Sequence, residues 1–321
     1  MSDSKQLPSK EPPRLEVPIS VVEALVEEQF PQWANLKVAP VALSGWDNRT
    51  FHLGREMTVR LPSAERYTHQ VLKEQKWLPR IAAQLSYPIP EPLALGRPSD
   101  LYPWHWSVYR WIEGENADNL ENEDLNKFAR DIAEFLKELQ KADTKNGPAP
   151  GPFRRGASPT YYDAATRRYL THLNSVIDTQ AATAVWDRSI RSEWSSSGVW
   201  VHGDFSTGNI LVEDGKLKAV IDFGSASVGD PSCDLVIAWT FLRRESRRIF
   251  RQSLGLDQDT WARARGWAIW KAMFNIANAA DVNSANSLKQ KNIIREIISS
   301  KIYKSFRIKK IGNVLFLHNM I

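Results

Sequence analysis

The chain has 321 residues and a formal net charge of +5, and this length is enough to bury a core and to form two lobes. Its one cysteine, Cys233, excludes a disulfide framework and a cysteine metal cluster, and it fits a reducing compartment. Residues 1–18 carry no hydrophobic signal region, and no run approaches the length of a membrane span. We therefore expect a cytoplasmic protein without a membrane partner.

The positive charge is concentrated at the C-terminal end. Residues 286–321 contain eight Lys or Arg residues and one acid, a net charge of +7, whereas the rest of the chain carries −2. The basicity is a property of the tail, so no nucleic-acid partner is expected. Three interpretations of the tail stay open: a helix packed on the body, a surface-binding extension, or a divergent terminus without a role.

The first third of the chain reads as strands followed by a helix. Apolar patterning predicts strands at 36–43, 50–53 and 57–61, separated by turns at 44–48 and 54–56. Helical spacing follows over 65–78, and Pro79 is expected to end or kink that helix. Its predicted inward stripe consists of Tyr67, Val71, Leu72 and Leu78.

Glu74 lies on the apolar side of this predicted helix, three residues after Val71. A buried carboxylate is costly unless it is paired. We therefore expect an ion pair between Glu74 and Arg60 of the preceding strand. The alternative is a boundary glutamate that reaches water beside Lys73 and Lys76.

The rest of the chain is mostly helical in pattern. An aromatic-rich run at 104–112 is expected to pack a sheet rather than to stack nucleic-acid bases. A Gly- and Pro-rich loop is predicted at 147–159. Helices are predicted at 123–141, with Asn122 as N-cap, and at 160–177, 181–194 and 260–280.

The most informative stretch is 199–224. Apolar runs at 209–212 and 217–221, joined by a short turn, predict a β-hairpin. His202-Gly203-Asp204 comes before the hairpin, and Asp222-Phe223-Gly224 follows it. Asn209 lies five residues after Asp204.

These polar residues have the chemistry needed to transfer a phosphoryl group from ATP or GTP. Asp204 would accept the proton of an attacking hydroxyl, and Asn209 with Asp222 would hold Mg²⁺ against the triphosphate. Any one of these residues alone could be a turn former. All of them in order around a hairpin favour the catalytic interpretation. His202 is expected to be a buried, hydrogen-bonded brace rather than a base.

This segment resembles the catalytic motif of the aminoglycoside and macrolide phosphotransferase family, and the likeness extends from about 43 to about 280. The resemblance implies an α+β, bilobal, protein-kinase-like fold. An N-terminal antiparallel sheet lobe would carry one main helix, and a mostly helical C-terminal lobe would carry the catalytic hairpin. The implied domains are a flexible tail at 1–17, a nucleotide-binding lobe at 18–112, a helical lobe with the acceptor site at 113–285, and a basic extension at 286–321.

The resemblance also implies roles for individual residues. Arg60 stands where kinases place a phosphate-contacting Lys, and Glu74 would orient it. Asp234 would hydrogen-bond the backbone of the catalytic loop, which His202 would also support. The phosphate-covering loop would include Ser44, Gly45 and Asn48, and the backbone at Tyr109 and Trp111 would meet the adenine edge.

Two features favour a small-molecule acceptor over a protein. Gly203 stands where protein kinases carry an Arg, and only a short segment separates Gly224 from a helix start with Asp230 as cap and Pro231 in the first turn. The resemblance implies an acceptor between the C-lobe helices and the catalytic loop. Candidate pocket acids are Asp163, Asp187, Glu193 and Glu245, to which no role is assigned.

The sequence therefore predicts a small-molecule kinase with ATP or GTP as donor, Mg²⁺ as cofactor and an aminoglycoside or macrolide hydroxyl as acceptor. Its acceptor could instead be a choline-, homoserine- or sugar-like alcohol of metabolism. A third interpretation is a nucleotide-binding module that has lost catalysis. The sequence makes no prediction of the oligomeric state.

Overall fold

The computed structural model describes residues 14–42, 45–120, 125–299, 310–311 and 314–315. The N-terminal lobe is built on an antiparallel sheet with the strand order β1-β2-β3-β5-β4. Its strands are β1 (Val38–Pro40), β2 (Asn48–Leu53), β3 (Met57–Pro62), β4 (Pro92–Gly96) and β5 (Trp106–Arg110). The predicted antiparallel sheet lobe is confirmed, although β1 is shorter than its apolar run.

Two helices accompany this sheet. The sequence interpretation missed α1 (Ile19–Gln29), whose Val22, Leu25 and Val26 are buried against the sheet. This spacing of three and four residues was its signal. The main helix is α2 (Thr68–Ala82).

The main helix differs from the prediction at two positions. It continues past Pro79 to Ala82 instead of ending there, because Leu78 and Ile81 on either side are both buried and keep the last turn against the core. Leu72 was predicted to face inward, but its side chain is 49% exposed. Glu74 is buried, so the prediction that it faces the interior is confirmed.

The C-terminal lobe is helical. Its helices are α3 (Leu125–Lys141), α4 (Asp163–His172), α5 (Thr179–Ile190), α6 (Ile237–Thr240), α7 (Arg244–Leu254), α8 (Gln258–Ala277) and α9 (Ala285–Ser299). The helices predicted from periodicity correspond to α3, α4, α5 and α8, and α7 was missed. The predicted N-cap Asn122 lies outside the described residues. Among the described residues, no helix combines the length and the apolar composition needed to cross a membrane.

The C-terminal lobe also contains short strands, two of which form the predicted hairpin. The strands are β6 (Glu115–Asn116), β7 (Val199–Val201), β8 (Ile210–Glu213), β9 (Lys216–Val220) and β10 (Ser227–Gly229). The sheet order β6-β8-β9 confirms the hairpin, and β7 pairs with β10. Asp214 and Gly215 turn between β8 and β9 with positive φ values of 51° and 70°, which matches a two-residue hairpin turn.

The first part of the basic C-terminal segment is a packed helix. The predicted boundary at 286 falls within α9, which packs on α8 and buries Ile293, Ile294 and Ile297 in the C-lobe core. For these residues the interpretation as a helix packed on the body is the correct one. Farther along, β11 (Lys310–Ile311) pairs with β12 (Val314–Leu315).

Because α9 belongs to the core, Ile297→Ala should lower the free energy of unfolding by about 2–5 kcal/mol, since it leaves a cavity at a fully buried position. Leu288→Ala on the same helix is the control, because Leu288 is 49% exposed and should change stability by less than about 0.5 kcal/mol. Urea unfolding measures both. Equal effects of the two changes would show that α9 is not packed as described.

Candidate active site

Asp234 anchors the loop that carries His202, Gly203 and Asp204. Its Oδ2 accepts a hydrogen bond from the backbone N–H of His202 at 2.7 Å, and its Oδ1 accepts one from the N–H of Gly203 at 2.8 Å. Gly203 has a φ of 85°, and a Cβ there would lie 2.6 Å from the Ser225 carbonyl oxygen, so the position needs glycine. These are the hydrogen bonds that the resemblance implies for Asp234.

His202 lies inside the fold rather than at its surface. Its side chain is fully buried, Nε2 lies 2.9 Å from the Ile221 carbonyl oxygen, and Nδ1 accepts the Asp204 N–H at 3.2 Å. The ring also packs edge-on against Phe223. Both ring nitrogens are used within the protein, as a structural brace requires.

Asp230 supports the same region through a buried ion pair. As predicted, it caps the short helix Pro231–Val236, and its Oδ1 accepts the Ser232 N–H. Its Oδ2 accepts the Nε–H of Arg263 on α8 at 2.7 Å, and both side chains are almost completely buried. This pair joins α8 to the short helix that carries Asp234.

The two oxygens of Asp204 face different groups. Oδ2 lies 3.4 Å from the amide nitrogen of Asn209, which also donates to the Asp204 carbonyl oxygen at 2.9 Å. Oδ1 accepts a hydrogen bond from Lys271 of α8 at 3.1 Å. Burial alone would raise the pKa of this carboxyl group, but the charges of Lys271 and Arg155 hold its pKa below the ordinary value.

Asp222 follows the second strand of the hairpin, whereas Asp204 comes before the first. It has a left-handed φ of 66°, and the neighbouring Ile221 N–H donates to the Asn209 carbonyl oxygen at 2.9 Å. This bond brings the end of β9 next to Asn209. Asp204, Asn209 and Asp222 therefore lie around one end of the hairpin, as the sequence predicts.

Arg60 pairs with Asp222 and not with Glu74, so the predicted Arg60–Glu74 ion pair is wrong as a direct contact. The Arg60 guanidinium donates to Asp222 Oδ1 at 3.2 Å. Glu74 instead accepts a hydrogen bond from the Tyr109 hydroxyl at 2.6 Å. Burial raises the pKa of Glu74, although the positive charge of Arg60 opposes that change. Glu74 thus acts on Arg60 only through its charge, whereas Asp222 contacts Arg60 directly.

Helix α2 is tied to the segment after Asp222 by Lys73. Its ammonium donates to the carbonyl oxygens of Gly224 at 2.5 Å and Ala226 at 2.9 Å. Burial lowers the pKa of Lys73 to about 8, although Glu74 and Asp222 oppose the change. Gln70 packs on Gly224, where a Cβ would lie 2.5 Å from the Gln70 side-chain oxygen. The sequence interpretation did not assign Lys73 a role.

The predicted phosphate-covering loop is described only in part. Ser44 lies outside the described residues, and a Cβ added at Gly45 would meet no atom within 4 Å. Asn48 is buried as the first residue of β2, so its side chain is not on the open loop. Asp47 was missed: it accepts a hydrogen bond from Gln70 at 3.0 Å, and burial raises its pKa.

The two residues predicted to meet the adenine edge are engaged within the sheet lobe. Tyr109 lies in β5, and its buried hydroxyl donates to Glu74. The backbone N–H of Trp111 donates to the Glu56 carbonyl oxygen at 2.7 Å, and its ring packs edge-on against His52. The Tyr109 hydroxyl and the Trp111 N–H are thus used within the lobe, and the contact of this backbone with the adenine edge stays a prediction.

The candidate pocket acids are mostly paired with arginines. Arg167 binds both Asp163 and Asp187, and Asp163 also accepts the Trp186 indole N–H. Glu245 is exposed and pairs with Arg248. Glu193 is exposed. The residues that do face Asp204, Lys271 and Arg155, were missed because nothing in the sequence around them signals a contact so distant along the chain.

Comparison with known proteins places the chain in a family. The model of the phosphotransferase enzyme family (APH) matches residues 38–267, so the chain belongs to that family. It is 25% identical over 173 residues to hygromycin-B 4-O-kinase of Escherichia coli, an alignment that covers 49% of each chain. It is 38% identical over 68 residues to an aminoglycoside 3'-phosphotransferase of Escherichia coli, covering 20% of this chain and 25% of the relative. The chain thus spans about half the length, or less, of these curated relatives.

Solved structures agree on the fold. The GDP and kanamycin complex of APH(2")-IIia superposes with a TM-score of 0.67 at 17% identity, covering 86% of this chain and 97% of that one. The macrolide 2'-phosphotransferase MphH from Brachybacterium faecium gives a TM-score of 0.58 at 16% identity, with coverage of 89% and 99%. These likenesses confirm the predicted kinase-like fold.

The Asp234 anchor can be tested by Asp234→Asn. One oxygen becomes an amide nitrogen, so a backbone N–H would face another donor, and we expect a loss of about 1–3 kcal/mol in the free energy of unfolding. Asp178→Asn is the control, because Asp178 is an exposed N-cap of α5 that accepts the Ala181 N–H and asparagine caps equally well. Urea unfolding that places both variants together would contradict the anchoring role.

The burial of Lys73 predicts a pH dependence. Between about pH 8 and its ordinary pKa of 10.5, the unfolded chain holds a proton that the folded chain has released, so this group makes stability rise with pH. The difference in unfolding free energy between the wild type and Lys73→Met should change by about 1–3 kcal/mol over that range. Lys76→Met, at an exposed position of the same helix, should follow the wild-type curve. Parallel curves for wild type and Lys73→Met would contradict the burial of the ammonium.

Proposed function

We propose that the protein transfers the terminal phosphate of ATP or GTP to a hydroxyl group of a small molecule, with Mg²⁺ as cofactor. The observation that carries this proposal is the grouping of Asp204, Asn209 and Asp222 at one end of the hairpin, with Arg60 on Asp222. Family membership supports a phosphotransferase, and a fold alone would not fix the activity.

The side chains present fit a magnesium nucleotide. Mg²⁺ prefers oxygen ligands and is commonly held by one or two protein groups plus substrate phosphates. The side-chain nitrogen of Asn209 is turned toward Asp204. Its side-chain oxygen, Oδ1, is therefore the atom that would bind a cation. Asp222 supplies a carboxylate, with one oxygen on Arg60. Bound magnesium would neutralise charge on the triphosphate, and Asn209 and Asp222 are the residues that would hold it.

The proton of the acceptor hydroxyl would go to Asp204. Its backbone is fixed by the loop that Asp234 anchors, and its carboxyl group is oriented by Asn209 and Lys271. A lowered pKa keeps this group ionised and able to accept a hydrogen bond from a hydroxyl at neutral pH. Arg60 carries the positive charge that would contact phosphate oxygens once a nucleotide is present.

The two lobes would divide this work. Residues 18–112 would bind the nucleotide, and residues 113–285 would bind the acceptor. Aminoglycosides and a macrolide are the compounds that the names of the related proteins give, so they are the first acceptors to assay. A choline-, homoserine- or sugar-like alcohol is the alternative. Because its donor is a cytoplasmic nucleotide, we propose that the enzyme acts in the cytoplasm.

The role of Asp204 is tested by Asp204→Asn. We expect magnesium-dependent turnover of ATP or GTP to fall by about 10²- to 10⁴-fold, because the base is lost, while nucleotide affinity stays within a few-fold. Release of the nucleoside diphosphate and equilibrium binding of the nucleotide are the two measurements. Asp187→Asn, a change at a carboxylate paired with Arg167, is the control. Unchanged turnover in Asp204→Asn would exclude the proposed base, and no magnesium-dependent turnover in the wild type would favour a non-catalytic module.

A further inference from the structure

On the side of Asp204 away from Asn209 lie two cations, Lys271 and Arg155, and Arg155 rests on the nearly buried rings of Trp267 and Trp270. We call this surface the acceptor face and define it by Arg155, Tyr162, Trp267, Trp270 and Lys271. Lys271 and both tryptophans lie on α8, and Lys271 binds the Asp204 oxygen that does not face Asn209. A hydroxyl that reaches Asp204 from the side opposite the predicted nucleotide site must pass this face.

Arg155 is held in place without a carboxylate. Its guanidinium carbon lies 5.3 Å from the ring centre of Trp267 and 5.2 Å from that of Trp270. Its backbone carbonyl accepts the Ser227 hydroxyl at 2.8 Å, which fixes the main chain. The rings orient the cation through cation–π contacts.

The guanidinium of Arg155 has no anionic partner of its own. Within residues 14–42, 45–120 and 125–299, no carboxylate lies within 4.0 Å of it. It acts on Asp204 through its charge alone, and the only ion pair of Lys271 in that part of the chain is with Asp204. Two cations and one carboxylate leave the face with a net positive charge. A guanidinium in this state has its hydrogen-bonding fork available for a carboxylate or phosphate.

An aromatic wall continues from these cations. The rings of Tyr162 and Trp270 lie 4.2 Å apart, and Trp267 packs edge-on against Trp270. Asp163 and Asp187 share Arg167, so these three groups together carry one negative charge, but both carboxylates are bound to Arg167 and neither contacts Arg155. A molecule with several ammonium groups would meet like charge at Arg155 and Lys271. A molecule that joins an anionic group to an apolar ring would instead find a cation for its anion and an aromatic ring for its apolar part.

We propose that the acceptor carries an anionic group, a carboxylate or phosphate, which binds Arg155 while an apolar part of the molecule packs on the partly exposed ring of Tyr162. This inference rests on the proposed function, because it concerns the acceptor of that reaction. It distinguishes this chain from relatives whose names give aminoglycoside acceptors, since polycations are disfavoured by the acceptor face.

The inference is tested with three probes that share one aromatic group and one sugar ring. They are the 4-nitrophenyl β-D-glucuronide, glucoside and glucosaminide, which are anionic, neutral and cationic, and kanamycin is added as a polycation. Binding to the full chain is measured by calorimetry without nucleotide. We expect the glucuronide to bind roughly tenfold or more tightly than the glucosaminide, because it gains a charge-assisted hydrogen bond. Added salt should reduce the difference.

Variants locate the effect. Arg155→Gln should bring the glucuronide and the glucosaminide to nearly equal affinity, and Arg155→Lys should restore part of the preference because it keeps the charge but not the planar fork. Arg251→Gln is the matched control: Arg251 also lies over an indole, 5.3 Å from the centre of the Trp261 ring, but it is not among the charges that act on Asp204. It should keep the wild-type preference.

The outcomes separate this inference from the proposed function. Equal binding of the three glycosides, tighter binding of the amine compounds, or a preference that survives Arg155→Gln would overturn the inference. Efficient phosphorylation of kanamycin would also overturn it and would at the same time support the proposed function. A charge preference that depends on Arg155, without magnesium-dependent nucleotide turnover, would support the anionic subsite and contradict the proposed function.

Discussion

The carboxylate of Asp234 fixes the catalytic loop by accepting the backbone N–H groups of His202 and Gly203 from a fully buried position. The positions of the other side chains of the site relative to one another depend on where that loop is held. Asp204 follows these two residues directly, so its direction depends on where they are held. Arg263 extends the anchor into α8 through Asp230, which sets the helix that carries Lys271 relative to Asp204. One buried acid and one buried ion pair thus fix the loop that carries Asp204 and the helix that carries Lys271.

Two cationic side chains of the N-terminal lobe contact the segment at Asp222 and just after it. Arg60 of β3 contacts Asp222, and Lys73 of α2 contacts the carbonyl oxygens just after it. The carboxylate expected to bind magnesium is therefore balanced by a guanidinium from the other lobe. Glu74 is held by Tyr109 and acts on Arg60 only at a distance. In the proposed reaction, Arg60 would therefore turn to a phosphate without breaking a buried contact to Glu74.

Local sequence predicted those parts of the fold that local physics determines. The hairpin and the Asp230 cap follow from turn chemistry. The inward side of α2, with the exception of Leu72, follows from its spacing, which also places Glu74 inside. The missing parts depend on tertiary contacts. Pro79 stays helical because its buried neighbours hold the last turn of α2 against the core. Arg60 contacts Asp222 rather than Glu74 because the fold brings Asp222 closer. Lys271 lies 67 residues along the chain from Asp204. No pattern within a short window contains that information.

Net charge is a poor guide to the charge that an acceptor meets. The tail carries most of the positive charge and the remainder is slightly negative. The groups beside Asp204 are nevertheless two cations, Lys271, which pairs with Asp204, and Arg155, which has no carboxylate partner among the described residues. A family relationship transmits the fold and the phosphate chemistry, which depend on the hairpin and its loop. In the proposed site, acceptor choice would depend instead on α8 and the segment around Arg155, which lie outside the hairpin and can change charge while the hairpin stays the same.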